Sequence, residues 1–188
     1  MNSVAQSELP TKLAGWKNLS RFMFAVLSLL SLLLAACSPE LNWRLVQGEH
    51  APYQLLLPGK PAQASKTIQL ANQQREMHMQ GTQVAGIQFV IAHVGCGNDE
   101  QAQILAAMRQ GLIQNLHANQ TQLSSLSGEI LQIKSPPPQT QIMWVKLFAR
   151  QQHCYQMLML TQAGEVPQEV RETFFDSFKS LPLQQPAN

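Results

Sequence analysis

The sequence predicts one α+β domain, with a largely antiparallel sheet packed by two helices. Five short runs with strand-like alternation come before any helical pattern. One segment then carries apolar residues at spacings of three and four, and three further strand-like runs separate it from a second helical segment near the C-terminus. Runs of strands followed by helices are typical of α+β folds, in which helices cover an antiparallel sheet.

The first five predicted strands occupy the segment that begins at Trp43 and ends at Val94. Each is a short run rich in aliphatic, aromatic or β-branched residues, and turns rich in Gly, Pro, Asn or Gln separate them. The predicted strands cover residues 43–46, 53–57, 67–71, 76–84 and 87–94.

A helix is predicted to follow, because Asn98 and the acids Asp99 and Glu100 form a start signal with Gln101 as the third helical residue. It runs to about Leu116. Its apolar residues form one stripe that can pack on a sheet: Ile104, Leu105, Met108, Leu112, Ile113 and Leu116.

The remaining elements are three strands and a closing helix. Residues 129–134, 142–149 and 154–161 are predicted strands, and the last two form a hairpin across residues 150–153. Pro167 is predicted to open the final helix and Pro182 to end it. Its expected packing face is Val170, Phe174, Phe175 and Phe178.

The N-terminal segment has the pattern of an export signal. Lys12, Lys17 and Arg21 outweigh Glu8, and the thirteen-residue apolar run at positions 22–34 follows them. Even with Ala35 and Ala36 this run is shorter than the roughly 20 residues that a spanning helix needs. An uncleaved signal anchor and plain secretion are the alternatives to a lipid-modified export signal.

The tetrad Leu34-Ala35-Ala36-Cys37 directly behind the apolar run resembles the lipobox of bacterial lipoproteins. The resemblance implies cleavage before Cys37, a diacylglycerol on its sulfur and an acyl chain on its new amino group. In such proteins the next residue is a sorting signal. Here it is Ser38, where Asp would imply retention in the inner membrane, so the periplasmic face of the outer membrane is the expected location.

These observations divide the chain into four parts. Residues 1–36 are the predicted signal peptide, 37–42 a lipidated tether, 43–183 the α+β domain and 184–188 a C-terminal tail. With Cys37 lipidated, Cys96 and Cys154 are left as a predicted disulfide, since disulfides persist in exported proteins. Two buried free thiols are the alternative.

Composition excludes nucleic acid as an expected partner. The chain has 13 Lys and Arg and 11 Asp and Glu, and removing three bases and one acid with the first 36 residues leaves ten of each sign. A neutral domain without a basic stripe lacks the clustered charge that phosphate neutralisation requires.

The order of elements in residues 43–181 resembles that of Mog1/PsbP-like domains. The resemblance rests on the segment Tyr53 to Pro61 (YQLLLPGKP), the strands, helix and late hairpin, and the closing segment Phe174 to Lys179 (FFDSFK). It implies an α/β/α sandwich with a scaffold or binding role, and it supplies no catalytic residue. A fold by itself does not determine function.

No catalytic or metal-ligating set is predicted. His93, Cys96, His153 and Cys154 have zinc-ligand chemistry, but alternation along extended strands points neighbours to opposite faces. Met77, His78 and Met79, with Met157 and Met159 behind them, have Cu(I) chemistry, although the same pattern describes core strands. Hydrolase and phosphate-binding motifs are missing from the sequence.

The sequence therefore predicts a membrane-anchored envelope lipoprotein without enzymatic activity or cofactor. The membrane, through the acyl chains on Cys37, and an envelope protein of unknown identity are its expected partners. The alternative is a tethered hydrolase or metal-handling accessory whose site residues are scattered in the sequence.

Overall fold

A seven-stranded sheet is the centre of the domain in a computed structural model, which describes residues 41–119, 123–126, 129–162 and 164–182. The leader, the lipobox residues Leu34 to Cys37 and the predicted tail lie outside the described residues. The described elements confirm the predicted α+β class, with a mostly antiparallel sheet and two helices.

The strands of the described residues form two antiparallel sheets. The large sheet has the order β3-β4-β5-β9-β8-β7-β6, and the small one has the order β1-β2-β10. Their bounds are β1 (Arg44–Gln47), β2 (Tyr53–Leu57), β3 (Ala62–Leu70), β4 (Gln73–Val84), β5 (Ile87–Gly95), β6 (Leu123–Leu126), β7 (Ile130–Lys134), β8 (Ile142–Arg150), β9 (His153–Thr161) and β10 (Lys179–Ser180).

Two helices cover opposite faces of the large sheet. Helix α1 (Gln101–Asn115) continues from a 3₁₀ turn at Asn98–Glu100, and α2 (Gln168–Asp176) precedes β10. Ile104, Met108 and Leu112 bury one side of α1 against the sheet. Phe174 and Phe175 of α2 join the core on the other face, together with residues of β2.

The central strand β9 shows how the two cores share one sheet. Tyr155, Met157 and Met159 face the core under α2 and β2, whereas Cys154 and Leu158 face α1. Trp144 on the neighbouring β8 is fully buried in the α2 core. A strand that is apolar on both faces is typical of the middle of a layered domain.

The predicted strands are largely correct, and the differences concern polar segments. Strand β3 begins at Ala62 rather than at residue 67, although its first half is exposed. Strand β6 lies in the Ser- and Gln-rich segment between the first predicted helix and residue 129, where no strand is predicted, and β10 lies beyond the second helix. Backbone pairing to β4, β7 and β2 holds these short or largely polar segments in the sheets.

The predicted start of the first helix and the predicted end of the second helix both need correction. The cap before α1 lies one residue earlier than predicted, because the Gly97 N–H donates to Glu100 Oε2 at 3.2 Å. Helix α2 ends at Asp176, well before Pro182. Ser177 stops it, since its hydroxyl donates to the Phe174 carbonyl and accepts from the Leu56 N–H.

Three hairpins of the large sheet turn within two residues, all of which have positive φ. The turns are Ala71-Asn72, Ala85-Gly86 and Gln151-Gln152, and the last has φ angles of 48° and 60°. Type I′ turns need this left-handed backbone, which favours Asn and Gly and costs other residues about 1–2 kcal/mol. The turn Gln151-Gln152 between β8 and β9 contains neither Asn nor Gly, and it therefore carries backbone strain.

Gln152→Gly is expected to raise the free energy of unfolding by about 0.5–1 kcal/mol, because glycine adopts the φ of 60° without steric cost. The backbone carbonyl that accepts from the Cys96 N–H is retained, and so is the bond from Gln151 Nε2 to the Leu181 carbonyl. Urea and thermal unfolding measure the change. Gln139→Gly, at an exposed position without positive φ, is the control and should give no gain. An unchanged or lower stability of Gln152→Gly would contradict the strain argument.

Cys96 and Cys154 lie at disulfide-bonding distance, as predicted. Their Cα atoms are 5.8 Å apart, and 58 residues separate them in the chain. Both are buried on the α1 side of the sheet, where Cys96 follows β5 and Cys154 is the second residue of β9. The pair ties the segment that leads into α1 to the central strand.

Neither helix in the described part of the chain has the length and apolar character to cross a bilayer.

Candidate functional site

A row of polar and aromatic side chains crosses the large sheet, with one residue from each of five strands. Register pairs Ser65 of β3 with His78 of β4, His78 with His93 of β5, His93 with Tyr155 of β9, and Tyr155 with Phe148 of β8. Direct cross-strand partners in an antiparallel sheet project to the same face. The row therefore lies on one face, the side that carries β2 and α2.

Aromatic rings from other elements cover this row. His50, in the loop between β1 and β2, stacks on His78 with ring centroids 4.1 Å apart. Tyr53 of β2 makes edge contacts with both His93 and Tyr155 at 5.7 Å. Phe178 packs on the far end of the row, 4.7 Å from Phe148. The imidazoles are thus gathered at one end and the phenyl rings at the other.

The imidazole end of the row opens into a cavity of about 260 Å³. Its walls include His50, Tyr53, Ser65, His78, Gln80 and His93. The Tyr53 hydroxyl donates to Gln80 Oε1 at 3.1 Å, and Gln80 Nε2 donates to the Gln47 carbonyl at 3.0 Å. These bonds attach the β1–β2 layer to the large sheet at the edge of the cavity.

His78 has a polar neighbour at each of its two ring nitrogens. Ser65 Oγ lies 2.7 Å from its Nδ1, within hydrogen-bond distance, and Glu76 Oε2 lies 3.9 Å from its Nε2. The second distance is too long for a hydrogen bond. Ser65, His78 and Glu76 therefore resemble a serine–histidine–carboxylate chain in composition but lack the bond that would orient the imidazole as a base.

His93 is the buried member of the imidazole cluster. It is 2% exposed, and its Nδ1 has no hydrogen-bond partner among the described residues. Burial, and to a smaller extent the nearby His153, His78 and His50, lower the pKa of His93 to about 3. His93 is accordingly neutral at physiological pH, and its ring is part of the cavity wall.

The two buried tyrosines beside His93 are also kept neutral. Burial raises the pKa of Tyr155 to about 12, and burial raises that of Tyr53 as well. The Tyr155 hydroxyl has no hydrogen-bond partner among the described residues. His93, Tyr53 and Tyr155 therefore form a buried group of uncharged rings at neutral pH.

A second concave surface lies at the phenyl end of the row. It is a groove of about 700 Å³ that Phe148 and Phe178 line together with charged side chains of both signs. Lys146 Nζ forms an ion pair of 2.7 Å with Glu129, and this lysine lowers the pKa of the Glu129 carboxyl. Arg150 and Asp176 also line the groove. Its mixed charges and aromatic walls suit a protein surface better than a small apolar ligand.

The structure separates the predicted zinc candidates. His93 and His153 lie on one face with ring centroids 5.5 Å apart, whereas Cys96 and Cys154 pair with each other on the α1 face. The four side chains therefore do not meet, as alternation predicted. In the part of the chain that the structure describes, no three His, Cys, Asp or Glu side chains converge as a ready-made metal site.

The methionine candidates are separated in the same way. Met77 and Met79 pack with the α1 core, and His78 between them projects to the opposite face. Met157 and Met159 are fully buried in the α2 core. These methionines fill the two cores, and they do not form a Cu(I) site with His78.

Sequence reasoning missed the imidazole cluster itself. It named His78 and His93 for two different sites and did not name His50 or Ser65. The signal that could have found the cluster is the position of the tight turns, because the turn Ala85-Gly86 lies midway between His78 and His93.

No family model, curated protein or solved structure matches the chain.

Proposed function

We propose that the chain is a lipid-anchored protein of the bacterial cell envelope whose domain acts by binding rather than by catalysis. The observation that carries the binding role is the cavity at the imidazole end of the row, which three histidines, His50, His78 and His93, line together with polar side chains. Concave sites with a few well-placed polar groups are typical of ligand binding. The groove beside Phe148 and Phe178 provides a second surface for an envelope protein.

The anchor half of the proposal is supported by the lipobox resemblance of Leu34 to Cys37 and by the Cys96–Cys154 pair. A disulfide is expected to form and persist in an oxidising compartment such as the periplasm. Each buried methylene contributes about 0.8 kcal/mol, so two or three acyl chains hold a protein on a bilayer. Only a few residues separate Cys37 from β1, which keeps the domain close to the lipid surface.

A hydrolase is a weaker interpretation of the same residues. It would use Ser65 as nucleophile and His78 as base, but the 3.9 Å distance between His78 and Glu76 leaves the base without an orienting bond. Ser65 is exposed on an edge strand, and none of the bonds around it supplies an oxyanion site.

Cys37→Ser is expected to abolish acylation and to release the protein from the membrane fraction, because no thioether can form on serine. Metabolic labelling with a clickable fatty acid, followed by fractionation, measures both effects. The double variant Cys96→Ala/Cys154→Ala is the control for other cysteines and should keep the label. Ser38→Asp should keep the label and move the protein to the inner membrane.

Two results would contradict this proposal. Membrane attachment of Cys37→Ser would indicate an uncleaved signal anchor, because the apolar run at positions 22–34 would then hold the protein without lipid. A natural protein with an unlabelled Cys37 thiol would exclude lipidation directly.

A further inference from the structure

We propose that the free edge of the large sheet, strand β3, binds an extended peptide segment of an envelope protein by adding it to the sheet as a further strand. This inference names the kind of partner for the binding role proposed above, and it rests on that proposal. Peptides that pair with an exposed sheet edge gain affinity from backbone hydrogen bonds and specificity from alternate side chains.

Strand β3 is a long and regular edge. It pairs over its nine residues with β4 in one continuous register, and β4 is its only partner in the sheets of the described residues. The first six residues of β3 are exposed, and the strand contains no proline. The strand at the opposite edge, β6, has four residues. An edge with the length and regularity of β3 can accept another strand.

The backbone groups on the free side of β3 belong to alternate residues. Leu70 and Gln73 flank a two-residue turn, so they form a hydrogen-bonded pair, and bonded and non-bonded pairs alternate from there. The residues of the non-bonded pairs turn their N–H and carbonyl groups away from β4, and they are Gln63, Ser65, Thr67 and Gln69. Within the described part of the chain, no hydrogen bond reaches these backbone groups. A peptide backbone can therefore pair with them.

The cavity of the imidazole cluster opens beside this edge. Gln63 and Ser65 of β3 line it, together with His50 and His78. A peptide residue paired with Ser65 would project its side chain to the same face of the sheet, because direct cross-strand partners project together. The cavity can therefore receive one side chain of an added strand, and its polar walls favour a polar one.

Lys66 determines the charge that the partner should carry. It is exposed, it lies on the α1 face beside Met77 of β4, and it forms no ion pair with another described residue. A peptide residue opposite Lys66 would occupy a non-hydrogen-bonded position, where side chains of neighbouring strands come closest. Because opposite charges in such positions are stabilising, the peptide is expected to carry Asp or Glu there.

The same lysine disfavours a second copy of this chain as the occupant. Lys66 is the central residue of β3, so antiparallel pairing of two copies over the whole strand would place the two lysines opposite each other. Like charges in directly opposite positions are destabilising. A lysine on an edge strand is a common protection against association of identical edges. A peptide with a carboxylate at the matching position avoids this repulsion.

The test uses the purified full-length protein in mild detergent. A phage library of random linear heptapeptides is panned against it, and the enriched peptides are synthesised and titrated by fluorescence anisotropy. Asp or Glu is expected at one fixed position of these peptides. Amide exchange measured by two-dimensional NMR should slow on peptide binding at the four residues whose backbone groups point away from β4. It should change little at the residues between them, which are already bonded to β4.

Thr67→Pro removes one outward N–H and leaves the bonds to β4 in place, and edge strands tolerate proline at such a position. This variant should weaken peptide binding at least about tenfold. Thr67→Val is the matched control, because it keeps the N–H and should bind like the natural protein. If Thr67→Pro does not fold, peptides that are N-methylated at alternate residues replace it. Only one of the two methylated sets should lose binding, since only one set of amides faces β3.

Substitutions of Lys66 test the charge of the partner. Lys66→Gln should weaken the binding of a glutamate-containing peptide about two- to fivefold. Lys66→Glu should reverse the preference, so that the same peptide with Lys in place of its glutamate binds more tightly than the original. A structural role of Lys66 alone would not produce this reversal.

The proposal is overturned if no peptide is enriched, or if the enriched peptides bind without slowing exchange along β3. Slow exchange of the outward amides without peptide, together with a concentration-dependent dimer, would identify a second copy as the occupant instead. Peptides that bind only the groove beside Phe148 and Phe178 would leave the binding role valid and exclude only the β3 edge. Peptide binding at β3 by a protein that lacks acyl chains would exclude only the anchor.

Discussion

Replacing Cys96 and Cys154 together by alanine is expected to lower the free energy of unfolding by about 4 kcal/mol. The bond closes a loop of 58 residues, and loop-closure entropy in the unfolded chain accounts for an effect of this size. Alanine adds little further cost, because it replaces a small buried thiol by a methyl group. This loss is comparable with much of the stability of a typical domain.

Urea unfolding of the natural protein, with and without a reducing agent, measures this effect. The reduced natural protein should unfold at the urea concentration at which the double variant unfolds, because both lack the cross-link. The slope of the transition should rise in the variant, since an unlinked unfolded chain exposes more surface. If reductant leaves the transition of the natural protein unchanged, Cys96 and Cys154 are free thiols.

The location of the bond adds a structural expectation. Cys96 leads into the turn before α1, and its N–H donates to the Gln152 carbonyl of the β8–β9 turn. Hydrogen exchange of the α1 amides should therefore accelerate more in the double variant than exchange of the β8–β9 amides. A uniform acceleration would indicate that the bond stabilises the domain only through the unfolded state.

Local pairing explains how much of the candidate site could be predicted from sequence. In a two-residue hairpin, partners lie at equal distances from the turn. The turns Ala71-Asn72, Ala85-Gly86 and Gln151-Gln152 therefore define the pairs Ser65–His78, His78–His93 and Phe148–Tyr155. The difficulty lies in recognising turns such as Ala71-Asn72, where alanine occupies a left-handed position that usually carries Asn or Gly.

The other contacts of the site depend on long-range structure. Pairing of His93 with Tyr155 joins β5 to β9 across α1 and three intervening strands, and no local pattern specifies it. The stacking of His50 on His78 depends on how the small sheet packs on the large one. Sequence periodicity predicts which face a residue occupies, but it does not predict which strand lies beside it.

Lowering the pH is expected to destabilise the folded protein through His93. In the unfolded chain this histidine has a pKa of about 6.5, whereas burial lowers its pKa to about 3 in the folded protein. The unfolded state therefore binds the proton first as the pH falls. His93 leaves stability unaffected above pH 6.5 and reduces it between about pH 6.5 and pH 3.

The size of the effect follows from the same two values. Each pH unit within this range costs about 1.4 kcal/mol, so the change from pH 7.5 to pH 5 is about 2 kcal/mol. Chemical denaturation in a series of buffers across this pH range measures it.

His93→Phe is the decisive variant, since it keeps a ring against Tyr53 and Tyr155 but cannot take a proton. The free energy of unfolding of this variant should fall less steeply below pH 6.5. As a difference from its value at pH 7.5, the loss at pH 5 should be smaller than in the natural protein. His117→Asn, which removes an exposed imidazole, should retain the full acid slope. An equal slope in His93→Phe and the natural protein would assign the acid sensitivity to other groups.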